Sequence, residues 1–164
     1  GVLLPIGVSD PIDNPMVDEK RIIEIFNINL VNVCVFVSHI LKILKNEKLT
    51  IVGCGSISAS RGRSRNSTYA SSKRGLESFF ESLRHFQYKS NKIIQFYTLG
   101  YLDTNLTFAE PLKGFKPINV YKVAEIIFKN ISKDFGKKII PIYWMPIMIL
   151  LKIMPWVIFK RFKF

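Results

Sequence analysis

Tyr69 and Lys73 lie four residues apart at the start of a helical pattern, and this pair carries the first chemical signal in the sequence. Side chains at positions i and i+4 share one face of a helix. An ammonium beside a phenol stabilises the phenolate and lowers the tyrosine pKa from about 10. The pair therefore predicts a tyrosine that exchanges a proton with a substrate near neutral pH. A solvated face of a basic helix is the alternative.

Ser56 is the second candidate for chemistry. It directly follows an apolar run that ends at Gly55, and it precedes Tyr69 by 13 residues. Reactive groups in open α/β sheets collect where the strands reach their carboxyl ends. A hydroxyl there can hydrogen-bond a substrate carbonyl oxygen and support charge that develops on it. The alternative is an ordinary serine in a Ser-rich loop, in which Ser58 and Ser60 are competing hydroxyls.

Asn29 is the third candidate, because it is a polar amide inside an apolar helical stretch. A buried amide must find hydrogen-bond partners in the protein or in water. Two roles fit this requirement. Asn29 either makes a structural hydrogen bond to a neighbouring helix or holds a water molecule in a proton path.

The elements that must position these residues alternate along the chain. Residues 1–17 are rich in proline, aspartate and asparagine and predict a loop. A helical pattern over Asp18 to Asn46 is apolar over so much of its width that we expect burial on most sides. Apolar runs at 48–55, 92–99 and 138–143 predict strands, and further helices are expected at 67–88 and 119–134, the last with Asn119 as N-cap. This order predicts an α/β layered fold with a parallel sheet.

The C-terminal tail has a different character, being almost wholly apolar from Ile139 to Phe159 and basic from Lys160 onward. A membrane-spanning helix needs about 20 apolar residues. Three prolines and Lys152 interrupt this run. Three structures stay open: a membrane span, an interfacial helical hairpin whose basic end faces anionic headgroups, and a segment that packs on the domain core or on a second subunit.

Composition limits the classes of function. The 164 residues are 48% hydrophobic, which fits one domain with a substantial core and excludes a disordered chain. Lysine plus arginine number 24 against 12 acidic residues, and the net charge of +12 implies an anionic partner. Nucleic acid is the least favoured such partner, because no binding motif is present and the aromatic residues follow core periodicity. Two cysteines, Cys34 and Cys54, cannot form a disulfide framework, and we expect two buried thiols in a reducing compartment.

In order and spacing, four of these residues resemble the catalytic tetrad of the short-chain dehydrogenase/reductase family: Asn29, Ser56, Tyr69 and Lys73. The segment Gly1–Pro5 resembles the continuation of that family's Asn-Asn-Ala-Gly motif, with Gly1 as its glycine. The segment Leu99–Thr104 resembles the family's Pro-Gly-x-Val-x-Thr segment, although Leu99 replaces the proline. The resemblance covers about residues 1–143, and the combined match is much more specific than any single motif.

The resemblance implies a Rossmann-like doubly wound parallel sheet and an NAD(P)H-dependent carbonyl reductase without a metal. By this resemblance Tyr69 would protonate the carbonyl oxygen and Lys73 would hold the nicotinamide ribose. Ser56 would orient the substrate, and Asn29 would hold a relay water. The implied cofactor contacts are Gly1, Tyr69, Lys73, Gly100, Leu102 and Thr104. No Gly-rich phosphate turn occurs in the sequence, so we expect the N-terminal cofactor-binding half to be missing. Residues 144–164 would form a tail beyond that domain.

A narrower similarity is to the subgroup that reduces a lipid-linked keto-sugar in polysaccharide biosynthesis, typified by the reductase half of the decaprenylphosphoryl-ribose 2′-epimerase. It rests on the segment from Ser56 to Asn66, on Asp103–Thr107 and on the apolar, basic tail. Guanidinium groups match phosphate oxygens, so the loop arginines Arg61, Arg63 and Arg65 are candidates for substrate binding, unless they merely solvate the loop. This similarity implies a cytoplasmic protein on the inner face of the cell membrane, with self-association left open. The alternative is a catalytically inactive protein of the same fold that binds a membrane surface.

Overall fold

A single parallel sheet organises the chain. The structure is a computed structural model that describes residues 1–11, 13–104 and 115–162. Its four strands are β1 (Val2–Leu4), β2 (Leu49–Ser56), β3 (Lys92–Leu99) and β4 (Lys137–Ile140), hydrogen-bonded in that order. Every neighbouring pair is parallel, and helices cover both faces. The predicted α/β, Rossmann-like class is confirmed.

Within these described ranges six α-helices connect and cover the strands: α1 (Glu19–Phe26), α2 (Asn32–Ile43), α3 (Ser67–Phe86), α4 (Val120–Asn130), α5 (Trp144–Ile153) and α6 (Trp156–Phe159). A π-helical turn, Asn27–Val31, joins α1 to α2, so the two form one long rod as predicted. Asn119 caps α4 by accepting a hydrogen bond from the Tyr121 backbone at 2.9 Å, also as predicted. The expectation of a loop over all of 1–17 is wrong, because Val2–Leu4 is a strand too short to show a period.

The side chains of β2 alternate between the two faces of the sheet, and the core therefore has two layers. Leu49 and Ile51 point to one face and pack with α2 and α3, where Phe80 is central. Val52 and Cys54 point to the other face and pack with α4. Successive side chains of a strand point to opposite faces, so an apolar strand with helices on both sides is the expected outcome. Cys54 is buried as predicted, whereas Cys34 is only half-buried.

The long helix is not buried on most sides, and that expectation is wrong. Its inward side chains recur every four residues, at Ile25, Asn29, Val33 and Val37. The opposite face is exposed and includes five large apolar residues: Ile23, Val31, Val35, Phe36 and Ile43. Among the described residues one helix, Glu19–Ile43, has the length and composition to cross a membrane, and 22% of its tested window is buried.

The tail packs on the domain. Trp144, Met148 and Phe159 are buried, and Pro155 separates α5 from α6. A helix the length of α5 rises about 15 Å at roughly 1.5 Å per residue. The hydrocarbon core of a bilayer is about 30 Å thick, so α5 is too short to cross it. Packing on the domain core is therefore what the structure shows for the inward face of the tail.

Candidate active site

The candidate groups converge at the carboxyl ends of β1, β2 and β3. A cavity of about 520 Å³ opens there. Most of the predicted site residues line it: Ser56, Arg63, Arg65, Tyr69, Lys73, Gly100, Leu102 and Thr104. Residues 105–107 of the motif segment lie outside the described part of the chain. Open α/β sheets place ligands at this edge, and the structure brings these predicted residues together there.

Lys73 is a deeply buried charged group of the site, with 3% of its surface exposed. Its Nζ donates hydrogen bonds to the backbone oxygens of Ile6 at 2.5 Å and Cys54 at 3.1 Å. Burial disfavours the ammonium and lowers the Lys73 pKa to about 8. A Cβ on Gly7 would lie 3.1 Å from this Nζ, so the loop approaches the lysine this closely because residue 7 has no side chain.

Tyr69 has a raised pKa, which corrects the sequence argument. Burial raises the pKa of its phenol, and a side-chain hydrogen bond with Ser56 lowers it in part. The predicted lowering by Lys73 is not seen, because Nζ is bonded to two carbonyl oxygens and lies 5.9 Å from the centre of the Tyr69 ring. At neutral pH the phenol is therefore protonated, the state required of a proton donor.

Ser56 is the last residue of β2, and its neighbours fix its orientation. Its Oγ accepts hydrogen bonds from the Ser58 backbone N–H at 3.2 Å and the Ser58 hydroxyl at 2.8 Å. Ser58 is thus a support for Ser56 rather than only a competing hydroxyl. A 3₁₀ turn, Ile57–Ser60, follows, and Arg74 of α3 donates to its Ala59 and Ser60 carbonyls at 3.0 and 2.9 Å. The serine turn is consequently fixed to the helix that carries Tyr69.

Asn29 is fully buried in the π-helical turn and makes structural hydrogen bonds. Its Oδ1 accepts from the Val8 N–H at 2.7 Å, and its Nδ2 donates to the Val8 carbonyl at 2.8 Å and to Ser72 Oγ at 3.0 Å. The amide therefore holds the loop after β1 against α3, one residue from Lys73. Its role in holding a relay water stays a prediction.

Asp13 is a site residue that the sequence argument missed. Its carboxylate accepts hydrogen bonds from the backbone N–H groups of Thr68 at 2.9 Å and Tyr69 at 2.8 Å. It thereby caps α3 from the first loop, as a carboxylate is suited to do at the positive end of a helix. One signal was available in the sequence, since the first turn of α3 has no acidic residue of its own. In the structure, Asn66 before that turn makes no side-chain cap.

Two predicted contacts lie elsewhere. Gly1 precedes β1 at the amino edge of the sheet, where a Cβ would lie 3.3 Å from the Thr50 carbonyl, so its predicted cofactor contact is wrong. The glycine of this segment that lines the cavity is Gly7. Arg61 does not line the main cavity either. Its guanidinium donates to the carbonyls of Leu151 and Met154 and lies 3.9 Å from the centre of the Phe159 ring. Arg61 therefore binds the tail.

Comparisons with known proteins bear on the family and the fold. The sequence matches the short chain dehydrogenase family over residues 6–111, more than half of the chain. No curated protein sequence matches it. A short chain dehydrogenase from Burkholderia cenocepacia, solved with NADP, has a TM-score of 0.83 at 14% identity. The matched region covers 98% of this chain and 69% of the Burkholderia chain. 4-Hydroxyisoleucine dehydrogenase with NADH and succinate has a TM-score of 0.73 at 16% identity and covers 85% of this chain. An actinorhodin polyketide ketoreductase variant with NADPH has the same TM-score at 14% identity and covers 85% of this chain. This chain spans 65% of the length of each of the last two proteins.

The cap provided by Asp13 predicts a stability effect. Asp13→Ala removes a buried carboxylate that accepts two backbone hydrogen bonds, and we expect a loss of about 2 kcal/mol in the free energy of unfolding. Asp18→Ala removes the exposed N-cap of α1, which accepts from the Lys20 N–H at 3.0 Å, and should cost about 1 kcal/mol or less. Urea denaturation of both variants measures the difference. Equal losses would contradict the long-range cap.

The lowered pKa of Lys73 predicts a pH dependence. Between about pH 8 and the ordinary lysine value near 10.5, the unfolded chain holds a proton that the folded chain has released. Stability should therefore rise with pH in this window, by roughly 3 kcal/mol in total relative to a Lys73→Met variant. Denaturation of both proteins at a series of pH values measures this. A stability difference that does not change with pH would show that Lys73 titrates normally.

Proposed function

The chain belongs to the short chain dehydrogenase family, and from this we propose that it serves an NAD(P)H-dependent oxidoreductase that reduces a carbonyl group. One observation carries the proposal. A protonated phenol, a strand-end hydroxyl and a buried ammonium, from Tyr69, Ser56 and Lys73, line the same cavity. These are a proton donor, an oxygen-orienting donor and a cation, which together suit reduction of a carbonyl.

Ser56, Tyr69 and Lys73 each have a separate role in the proposed reaction. Ser56 donates a hydrogen bond to the substrate oxygen and holds the carbonyl next to the Tyr69 hydroxyl. Tyr69 gives its proton to that oxygen, and its raised pKa keeps the proton in place until negative charge develops. Lys73 uses two N–H groups on the Ile6 and Cys54 carbonyls and has a third to offer a ribose hydroxyl. The cofactor supplies the hydride when bound.

The cavity fits the nicotinamide half of such a cofactor. Its volume of about 520 Å³ lies within the usual range for small-molecule sites. The residues that would hold the nicotinamide riboside are those of the first loop, α3 and the segment after β3: Gly7, Tyr69, Lys73, Gly100, Leu102 and Thr104. The sequence offers no glycine-rich turn for the pyrophosphate, since Gly53 and Gly55 have no third glycine in register.

For the substrate we propose a keto-sugar that carries a phosphate, in lipid-linked form. Arg63 and Arg65 line the main cavity and can form charge-assisted hydrogen bonds with phosphate oxygens. The Nε of Arg63 is buried and has no hydrogen-bond partner within the described residues. Arg63 also borders a second cavity of about 130 Å³, whose apolar walls include Met148, Leu151 and Phe159. A lipid group would find apolar contacts there. A role in polysaccharide biosynthesis stays a prediction.

A non-catalytic membrane-surface protein is the second candidate function. The exposed apolar residues of α5 and α6 favour it. Surface binding alone does not require Tyr69, Ser56 and Lys73 to converge, so this candidate leaves the main cavity without a role. Self-association and a location on the inner face of the cell membrane stay predictions.

Replacement of the proton donor tests the reductase proposal. Tyr69→Phe removes the hydroxyl and keeps the ring, so carbonyl reduction in the whole protein should fall at least about a hundredfold. Cofactor binding, followed by quenching of intrinsic fluorescence, should change little. Tyr88→Phe is the matched control, because Tyr88 is exposed just beyond the end of α3 and should retain full activity. Undiminished turnover in Tyr69→Phe would remove the mechanism.

The loop arginines give a separate test of the substrate class. Arg63→Ala should raise KM about tenfold or more for a ketone that bears a phosphate and should leave KM for the same ketone without phosphate nearly unchanged. Arg61→Ala should instead lower the melting temperature, because Arg61 binds the carbonyls of Leu151 and Met154. The same KM effect on both ketones would argue against a phosphate site at Arg63.

A further inference from the structure

The tail presents two opposite faces: the inward one packs against the domain, and the outward one is exposed. The inward face of α5 follows Trp144, Met148 and Leu151, which pack against the domain. The outward face of α5, together with α6, exposes seven large apolar residues within 14 positions: Met145, Ile149, Leu150, Ile153, Trp156, Val157 and Ile158. Large apolar side chains gathered in this way mark an interaction surface. We call these seven residues the tail patch.

The charged residues of the tail are of one sign. Lys152, Lys160 and Arg161 are exposed, and the sequence contains no acidic residue after Asp134. Within the described residues, none of these three cations is paired with a carboxylate. Apolar side chains that include a tryptophan, in a segment whose charged residues are all cations, match the interface of an anionic bilayer, where rings enter the acyl boundary and cations meet the headgroups.

A second copy of the chain fits this surface less well. An isologous contact would bring the patch of one copy onto the same patch of the other. Lys152, Lys160 and Arg161 would then meet their own counterparts without an acidic group between them. The net charge of +12 on each chain adds to this repulsion. We therefore propose that the tail patch is a docking surface for an anionic lipid membrane, with α5 and α6 lying in the interface.

Arg61 fixes the geometry of this docking. It binds the carbonyls at the C-terminal end of α5 and lies over the Phe159 ring, so both tail helices are tied to the residue that follows the serine turn. The smaller cavity lies between the tail and that turn, and it shares Ile57, Ser58, Arg63 and Tyr101 with the main cavity. A membrane bound to the tail patch is held next to the candidate active site. The docking itself stands without the reductase proposal.

Vesicle sedimentation with the whole protein tests the docking surface. The probes are vesicles of phosphatidylcholine alone and vesicles that also contain phosphatidylglycerol. We expect binding to the mixed vesicles that is about tenfold or more tighter than to phosphatidylcholine and that weakens with salt. Ile153→Glu should reduce this binding about tenfold or more, because it puts a carboxylate into the patch. Equal binding to both vesicle types would contradict the anionic preference and overturn the proposal.

Ile43→Glu is the matched control, since Ile43 is 76% exposed on the other apolar face and Ile153 is 72% exposed in the patch. It should bind mixed vesicles as the unchanged protein does. Trp156→Ser is a second variant within the patch and covers the case in which Ile153→Glu folds poorly. If Ile43→Glu loses as much binding as the patch variants, or if folded patch variants bind normally, the surface is misassigned. If the patch variants convert a dimer to monomers without altering vesicle binding, a second copy of the chain, rather than a membrane, covers the tail patch. None of these measurements requires turnover.

Discussion

Lys73 is a buried cation with no carboxylate partner among the described residues, and the positions of the other site groups depend on how its charge is accommodated. Two backbone oxygens accept its hydrogen bonds, one from Ile6 after β1 and one from Cys54 within β2. The ammonium thus joins three elements: two strand ends and the helix that carries Tyr69. Carbonyl dipoles compensate the charge only in part, so the pKa falls to about 8. A carboxylate here would restore the lysine pKa, but it would also occupy the donors needed at the cavity.

The first loop acts as a polar brace between the sheet and α3. Asn29 holds the loop by both backbone groups of Val8, and Asp13 holds α3 through the N–H groups of Thr68 and Tyr69. Hydrogen bonds have strict lengths and directions, whereas apolar contacts tolerate small displacements. A cavity wall built on such bonds keeps the phenol and the ammonium at a fixed distance from each other. The Asp13 cap and the hydrogen-bonded Asn29 amide both contribute to this brace.

The sequence predicted a parallel sheet and three of its four strands, because these follow from local periodicity. It placed Ser56 at a strand end and Tyr69 and Lys73 on one helix face, and the family resemblance brought the three together. It did not predict the Asp13 cap, since a contact that spans 56 residues leaves no periodic trace in the chain. It also misjudged the Tyr69 pKa. The i, i+4 spacing placed the ammonium near the ring correctly, but the sequence does not reveal the backbone oxygens toward which Nζ turns.

The arginine loop shows why composition could not assign the three guanidinium groups. Arg61 and Arg63 are two residues apart and chemically identical, yet one binds the tail and the other lines the main cavity. The difference originates in α5, whose last carbonyls lack partners within the helix and require a donor. Arg61 is the residue that reaches them. Packing of the tail on the domain thus decides which arginines remain for an anionic ligand. The segment that differs most in composition from the rest of the chain therefore helps to shape the site.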